Sequence, residues 1–397
     1  MERAETNDDL TPITDELRRL IAFQSVTRGP NRDLIEDVRE RLHALGVPCR
    51  LTWDDTKTKA NLFASFGPTD RPGVVLSGHT DVVPTTGQEW SSAPFAAEVR
   101  DGRLYGRGAC DMKGFLAVPL ALAAEIAERE LARPLHLAFS YDEEIGCVGV
   151  RRMLAQLSEY AATPAACIVG EPTSMGVVTG HKGKRVLRCH VQGVGGHSSR
   201  PAEGVNAIEC AAELVVRARA IARRLIAEGP FADDFHPPYS SMQTGTIRGG
   251  VAVNIVPAMC AFDLEIRHLP SHDPEPVLAE LKRFATETLE PEMRAVDPDA
   301  GFQWEETVRY PGLRTAQDAE VVALAQRLAS ETETRAVGFG SEAGLFAEAG
   351  VPAVVCGPGG ITEAHRPDEH IELAQLERCT RFVRRLVDEL SEATSAG

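Results

Sequence analysis

The sequence predicts an α/β fold: a mixed, mostly parallel sheet covered by helices, interrupted by an inserted α+β domain of βαββαβ order. Three observations predict it. Short, wholly apolar runs alternate with helical ones through residues 1–183, the same rhythm returns in residues 307–397, and residues 184–306 between them follow a different one. Apolar strands separated by helices mark a sheet buried on both faces.

The early elements come in order. "DELRRLIAFQSV" and "RDLIEDVRERLHALG" have helical spacing, and the second ends at a capping glycine, Gly46. Then follow "PGVVLSG" as strand, "MKGFLAVPLALAAEIAERE" as helix, "LHLAFSYD" as strand, "GVRRMLAQL" as helix and "AACIVGE" as strand. The C-terminal part resumes with helix "DAEVVALAQRLASE", short helix "SEAGLFAEAG", strand "PAVVCGP" and helix "LAQLERCTRFVRRLVDEL". Inside the insertion, strand "RVLRCHVQG" leads to a long helix from "GVNAIE". Strands "TGTIRGG" and "CAFDLEIRH" come next, then helix "PEPVLAELKRFATETLE" and a strand near "GFQWEET". That order is the split βαβ arrangement. The chain crosses between the domains near "GHKGK" and "TVRYPGLRT", where Gly183 and Pro311-Gly312 are the expected hinge.

Composition excludes several classes. The 397 residues are 43% hydrophobic and 25% charged, as in a folded globular protein. A net charge of −16 argues against nucleic acid or an anionic membrane as partner. The longest apolar stretch, "FLAVPLALAA", is about half a membrane span and contains a proline. The polar, acidic start "MERAETNDDL" reads as neither a secretory nor a mitochondrial presequence. Nine cysteines stand singly, without a CxxC pair, which fits a reducing cytoplasm.

Ligands of an open parallel sheet bind beyond the carboxyl ends of its strands. Candidate chemistry collects there: His79-Thr80-Asp81 after "VVLSG", Asp142, Glu143 and Glu144 after "LHLAFSY", Glu171 after "ACIVG", and a loop reaching His365 after "PAVVCGPGG". Asp111 lies in the glycine-rich "GRGACDMKG". Three adjacent carboxylates at the end of an apolar strand repel one another and resist desolvation, so they form either a solvated turn or a site for cations. Singly, the others have structural readings: a hydrogen-bonded turn histidine, a helix-capping Asp111, a turn Glu171, a surface His365. Cys110 reads as a small buried residue. Together, four carboxylates and two histidines on one rim suit two divalent ions. Nitrogen and oxygen donors without thiolate point to zinc or a similar first-row metal. Asp81, two residues from His79, could orient that ring from behind.

"SGHTDVVP", "LYGRGACDMKG", "DEEIGCVG", "GEPT" and "AHRPDEH", in this order and at these spacings, resemble the M20 metallopeptidase and deacylase family over nearly the whole chain. The resemblance implies that His79 and Glu171 bind one ion, Glu144 and His365 the other, and Asp111 bridges them. It further implies that Glu143 is the acid/base, that Asp81 supports His79, and that the ions are zinc with cobalt as an alternative. The first and last segments become the catalytic domain, and residues 184–306 a lid that also makes a homodimer. "GEPTSMGVVTGHKGK", "GGHSSRPAEGVNAIE", "GFGSEAGLF" and "GPGGITEAHRPDEH" are similar to the acetylornithine deacetylase branch, with Ser341 and His370 departing from its common residues. That branch implies removal of the acetyl group from N2-acetylornithine in arginine biosynthesis. The alternative is a related enzyme: a succinyl-diaminopimelate desuccinylase, an N-acyl-amino-acid deacylase or a dipeptidase. By the same resemblance the lid's His197 contacts the developing oxyanion in the other subunit's site. Asn254 and Arg267 add polar contacts, the arginine to a substrate carboxylate. A metal-binding protein without catalysis is the rival class. It would have no need of an unligated Glu143.

Overall fold

In the computed structural model of the chain, residues 10–392 are described. The segment read as lacking a presequence, residues 1–9, lies outside them. Two compact units emerge. The first comprises the described residues up to Gly180, then Leu313–Ala336 and the chain from Ser341; the second is His181–Gly312 with Val337–Gly340. The crossings fall a few residues outside the expected 184–306 because strands Gly183–Gln192 and Gly301–Tyr310 pair along nearly their full length, Lys184 opposite Tyr310.

The first unit is built on a nine-stranded sheet. Eight strands lie side by side in the order Cys49–Trp53, Ala60–Phe66, Leu135–Ser140, Val74–His79, Ala166–Pro172, Ala353–Gly357, Val177–His181 and Leu313–Arg314, and Thr334–Val337 pairs with Val177–His181. The run from Leu135–Ser140 to Ala353–Gly357 is parallel. Ala60–Phe66 and Cys49–Trp53 are added antiparallel at one end. Every residue of the four parallel strands is buried. Their wholly apolar runs follow from helices covering both faces. Thr11–Ala22, Gly114–Ala121, Glu320–Ala329 and Leu373–Ser391 bury Leu17, Leu116, Val322 and Phe382 in one continuous core with Leu76, Leu137 and Ile168.

Helix Arg32–Ala44 ends as expected, with Gly46 in the left-handed region at φ 75°. The single helix expected over "MKGFLAVPLALAAEIAERE" is instead two, Gly114–Ala121 and Ala123–Ala127, parted at Leu122. Pro119 inside the first has no N–H to continue the ladder. A small three-stranded sheet, unmarked in the sequence, pairs His370–Glu372 with Arg103–Tyr105 and the latter with Glu98–Arg100.

The second unit has its own core and the expected βαββαβ order. Its main sheet has four strands, all antiparallel, in the order Ser241–Gly249, Met259–His268, Gly183–Gln192, Gly301–Tyr310. Gly183–Gln192 alternates buried and more exposed residues, as a sheet covered on one face must. Helices Ala207–Glu228 and Glu275–Phe284 supply the cover, burying Leu214, Ile221 and Leu278 against Leu187, Phe262 and Leu264. Asn206 caps the long helix by accepting from the amides of Ile208 and Glu209. Gly183 is needed for close approach: a Cβ there would lie 2.2 Å from the His268 ring and 2.7 Å from the Gly312 amide.

Candidate metal centre

The parallel register sets His79 beside Ser140, so the His79 strand ends next to the turn that carries Asp142, Glu143 and Glu144. Glu171 is the next-to-last residue of the adjoining strand Ala166–Pro172. Asp111 lies in a non-helical turn just before helix Gly114–Ala121, and His365 in the loop after strand Ala353–Gly357. All belong to the first unit.

Their side chains meet. His79 Nδ1–H donates to the main-chain oxygen of Asp81 at 2.8 Å, which turns Nε2 towards Asp111 Oδ1 at 3.1 Å and Glu171 Oε1 at 3.8 Å. The other oxygen of Asp111 is 3.1 Å from His365 Nε2, which is also 3.0 Å from Glu144 Oε1. Asp111 thus faces both halves, one oxygen to each. Glu143 presents an oxygen within 4.8 Å of donor atoms of His79 and Glu171, and it accepts the Cys147 thiol proton at 3.2 Å. The Asp81 carboxylate behaves differently from the expectation that it backs His79. It is 3.6 Å from Nδ1 and instead accepts the amides of Glu143 at 3.1 Å and Glu144 at 3.4 Å, and the Thr27 hydroxyl. It therefore fixes the turn that presents those two glutamates. Asp142 faces away, accepting from the Arg28 amide at 2.8 Å and the Lys59 ammonium.

Burial, opposed by His79 and reinforced by Glu144, Glu342 and Asp81, pushes Glu143 up to about 8. Burial likewise raises Glu171 well above the carboxylate range and raises Glu144, with the Asp111 charge adding to both. The hydrogen bonds of Asp111 and Glu144 lift His365 to about 10. Burial would lower His79, yet Asp111, Glu171 and Asp81 raise it well above the usual imidazole value. Asp111 goes down despite burial because both histidines donate to it. The nearby cations are committed elsewhere: Lys113 donates to the carbonyls of Leu20 and Phe23, and Arg107 pairs with Glu369. Buried carboxylates of one sign, facing two imidazole Nε2 atoms and no thiolate, are a donor set that fits two divalent first-row ions.

The remaining candidates are in the second unit. His197, exposed, lies in the two-residue strand Gly196–His197 paired with Ile255–Val256. Its Nδ1 accepts from the Ser199 amide at 3.2 Å, so the neutral ring carries its proton on Nε2. The Asn254 carbonyl accepts from the Ser198 amide at 3.2 Å. Arg267 donates through Nε to Glu265 at 3.0 Å, and Lys184 pairs with the same carboxylate at 3.0 Å.

The sequence profile of peptidase family M20/M25/M40 matches residues 75–389. The chain belongs to that family. This M20 chain is 34% identical over 387 residues to the acetylornithine deacetylase of Myxococcus xanthus, covering 96% of this chain and 98% of the relative. The acetylornithine deacetylase of Proteus mirabilis (strain HI4320) is 33% identical over 399 residues, covering 98% of this chain and all of the relative. Among solved structures, an M20 family metallo-carboxypeptidase from Sulfolobus solfataricus superposes with a TM-score of 0.73 at 20% identity, over 96% of this chain and 99% of the other. A dinuclear metal-binding M20 peptidase from Bacillus subtilis does so with a TM-score of 0.65 at 16% identity, over 96% and 99%. The last two show the fold. Family and relatives together make the M20 chain a metal-dependent amide hydrolase.

Several residues of the M20 chain around this centre escaped the sequence reading. Glu342, 1% exposed, accepts from the hydroxyls of Ser77 (3.2 Å) and Ser140, bracketing the strand ends that lead to His79 and to the Asp142–Glu144 turn. Burial drives its carboxyl up to about 7. Arg107 and Glu369, each 1% exposed, form a buried ion pair. A charge inside an apolar or glycine-rich run, as in "SEAGLF" and "YGRGAC", was the available signal for Glu342 and Arg107. Gln88 carried none.

Proposed function

We propose that the M20 chain hydrolyses N2-acetylornithine to ornithine and acetate, in the cytoplasm and as a step of arginine biosynthesis. His79 and Glu171 would hold one divalent ion and Glu144 and His365 the other, with Asp111 shared. Zinc suits these donors and cobalt is the alternative. When bound, such ions polarise the acyl carbonyl and acidify water. Glu143 takes a proton from the attacking water and delivers it to the departing nitrogen, because an amide anion is too basic to leave unprotonated. The Asp81 carboxylate holds the Glu143 amide and so steadies the base. His197 offers its Nε2–H to the developing oxyanion, and Asn254 and Arg267 make the polar contacts to substrate, the arginine to its α-carboxylate. Exposed Val251, Val253 and Met259 in the second unit support a homodimer formed through it, with His197 serving the partner's site.

The observation that carries the chemistry is Glu143, a carboxyl held by the Cys147 thiol and lying beside other donors that could hold two ions without it. The choice of acyl substrate rests on the full-length likeness to relatives named acetylornithine deacetylase. The test is a panel of acetylornithine, acetylmethionine, succinyl-diaminopimelate and a dipeptide, assayed with added zinc or cobalt. Acetylornithine should have the highest kcat/KM. A higher value for any other member would overturn the substrate assignment, and no hydrolysis of any would overturn the enzyme reading.

A further inference from the structure

We propose that Gln88 is a positioning residue that ties the His365 half of the metal centre to the buried Arg107–Glu369 pair, and so sets how tightly that half holds a divalent ion. The proposal rests on the two-ion reading above.

The two halves are built differently. His79 and Glu171 sit on buried central strands, whose hydrogen-bonded neighbours fix them. His365 sits on a loop, its side chain 50% exposed, and no ladder of hydrogen bonds holds it. Its main-chain oxygen instead accepts from Gln88 Nε2 at 2.9 Å. Gln88 Oε1 accepts from Arg107 Nη2 and, at 3.2 Å, from the indole N–H of Trp90, over whose ring the Arg107 guanidinium lies at 5.0 Å. Arg107 Nη1 donates to Glu369 Oε2 at 2.6 Å, and Glu369 Oε1 accepts the amides of Cys110 at 3.0 Å and Asp111 at 3.1 Å.

The path that starts at the His365 carbonyl therefore ends at the Asp111 amide, and the side chains of these same two residues meet at 3.1 Å. It is a closed ring. Arg107 and Glu369 are rigid parts, fully buried and paired. Gln88, half-buried on a loop, is the adaptable link to the His365 carbonyl itself. An amide suits that place because it accepts from the guanidinium with one atom and donates to the carbonyl with the other. A carboxylate of the same size would keep the first contact and lose the second. Two separate tethers, Asp368 Oδ1 accepting from the Ser91 amide at 2.9 Å and the Arg366 carbonyl accepting from Arg107 Nη1 at 3.5 Å, stay in place and keep the loop nearby when Gln88 is changed.

The test uses the full-length protein stripped of metal, titrated with Co2+ against a competing chelator and followed by visible absorbance, for the wild type, Gln88→Glu and Gln88→Leu. Gln88→Glu preserves the acceptor for Arg107, which guards against simple misfolding. Equal denaturation midpoints of the metal-free proteins check this. The wild type should take up two equivalents. In both variants the first equivalent should bind as in the wild type and the second about 10–100-fold more weakly, the usual effect of losing an outer hydrogen bond to a ligand. A second equivalent unchanged in the variants, or both equivalents weakened alike, would overturn the proposal while leaving the two-ion reading intact. A wild type that takes up only one equivalent would overturn both.

Discussion

Replacing Glu143 by glutamine separates proton transfer from metal binding. Glutamine has the same size and keeps an oxygen for the Cys147 thiol, now 3.2 Å from Glu143 Oε1. Burial, with Glu144, Glu342 and Asp81, already raises the Glu143 carboxyl to about 8, so a neutral amide gives the metal-free fold no reason to weaken. What is lost is the proton carrier. General acid–base catalysis contributes roughly 10²–10⁴ in rate, or about 3–5 kcal/mol of barrier. One group serving both the water and the leaving nitrogen places the loss at the upper end. The assay is kcat for acetylornithine by release of the free α-amine, beside metal content after dialysis. Two ions retained with kcat down at least a hundredfold is the expected result. A kcat within tenfold of wild type would refute the role. Metal lost along with activity would make Glu143 a ligand, the role its closeness to His79 and Glu171 would then serve.

The raised groups around the site should make the metal-free protein lose stability as pH rises, against the opposite contribution of His136, His181 and Lys113, which burial lowers. Glu143 and Glu342 lie at about 8 and about 7 in the fold against an ordinary 4.5, and His365 at about 10 against 6.5. The folded state therefore holds protons that the unfolded chain has released, and this contribution, complete below pH 4.5, fades through pH 7–10. Between pH 5 and pH 9 without metal, the urea midpoint of the wild type should fall relative to that of Glu143→Gln, which lacks one raised carboxyl; parallel curves would contradict the assignment. Glu342→Ala strands the buried Ser77 and Ser140 hydroxyls at about 1–3 kcal/mol each, whereas Glu342→Gln keeps partners for both. Equal denaturation midpoints for the two variants would remove the bracket as an explanation. His197→Ala should lower kcat by roughly 10²–10³ with stability changed by less than about 0.5 kcal/mol, since the residue is exposed. Mixing it with Glu143→Ala subunits should restore part of the activity, and no recovery in verified heterodimers would count against a shared site.

How much the sequence disclosed depends on the range of the interaction. The parallel strands announced themselves because burial on both faces leaves no polar alternation, and the strand-end rule then located His79, Glu171 and the Asp142–Glu144 turn. His365, well beyond its strand on a loop, had no local signature and was legible only through "AHRPDEH" in its family context. The HxD pattern correctly put Asp81 near His79 but not its carboxylate's direction. That was decided by the amides of Glu143 and Glu144, brought in from a neighbouring strand. The same holds for the contact of Gln88 with His365 and those of Glu342 with Ser140 and Ser77, which span 277 and 202–265 residues along the chain. No periodicity records such contacts.

The place of strand Ala353–Gly357 has a consequence for how the molecule is made. It lies between Ala166–Pro172 and Val177–His181, two strands that leave the ribosome almost together. The slot between them stays open while the whole of residues 181–312, which carry their own core, is synthesised. Domains fold as units in the order of their emergence, so the inserted unit folds first and its host is completed last. His365 and Glu369 arrive later still. The site around Asp111 is therefore completed late, and a nascent chain halted before residue 353 lacks both His365 and the core helix Leu373–Ser391.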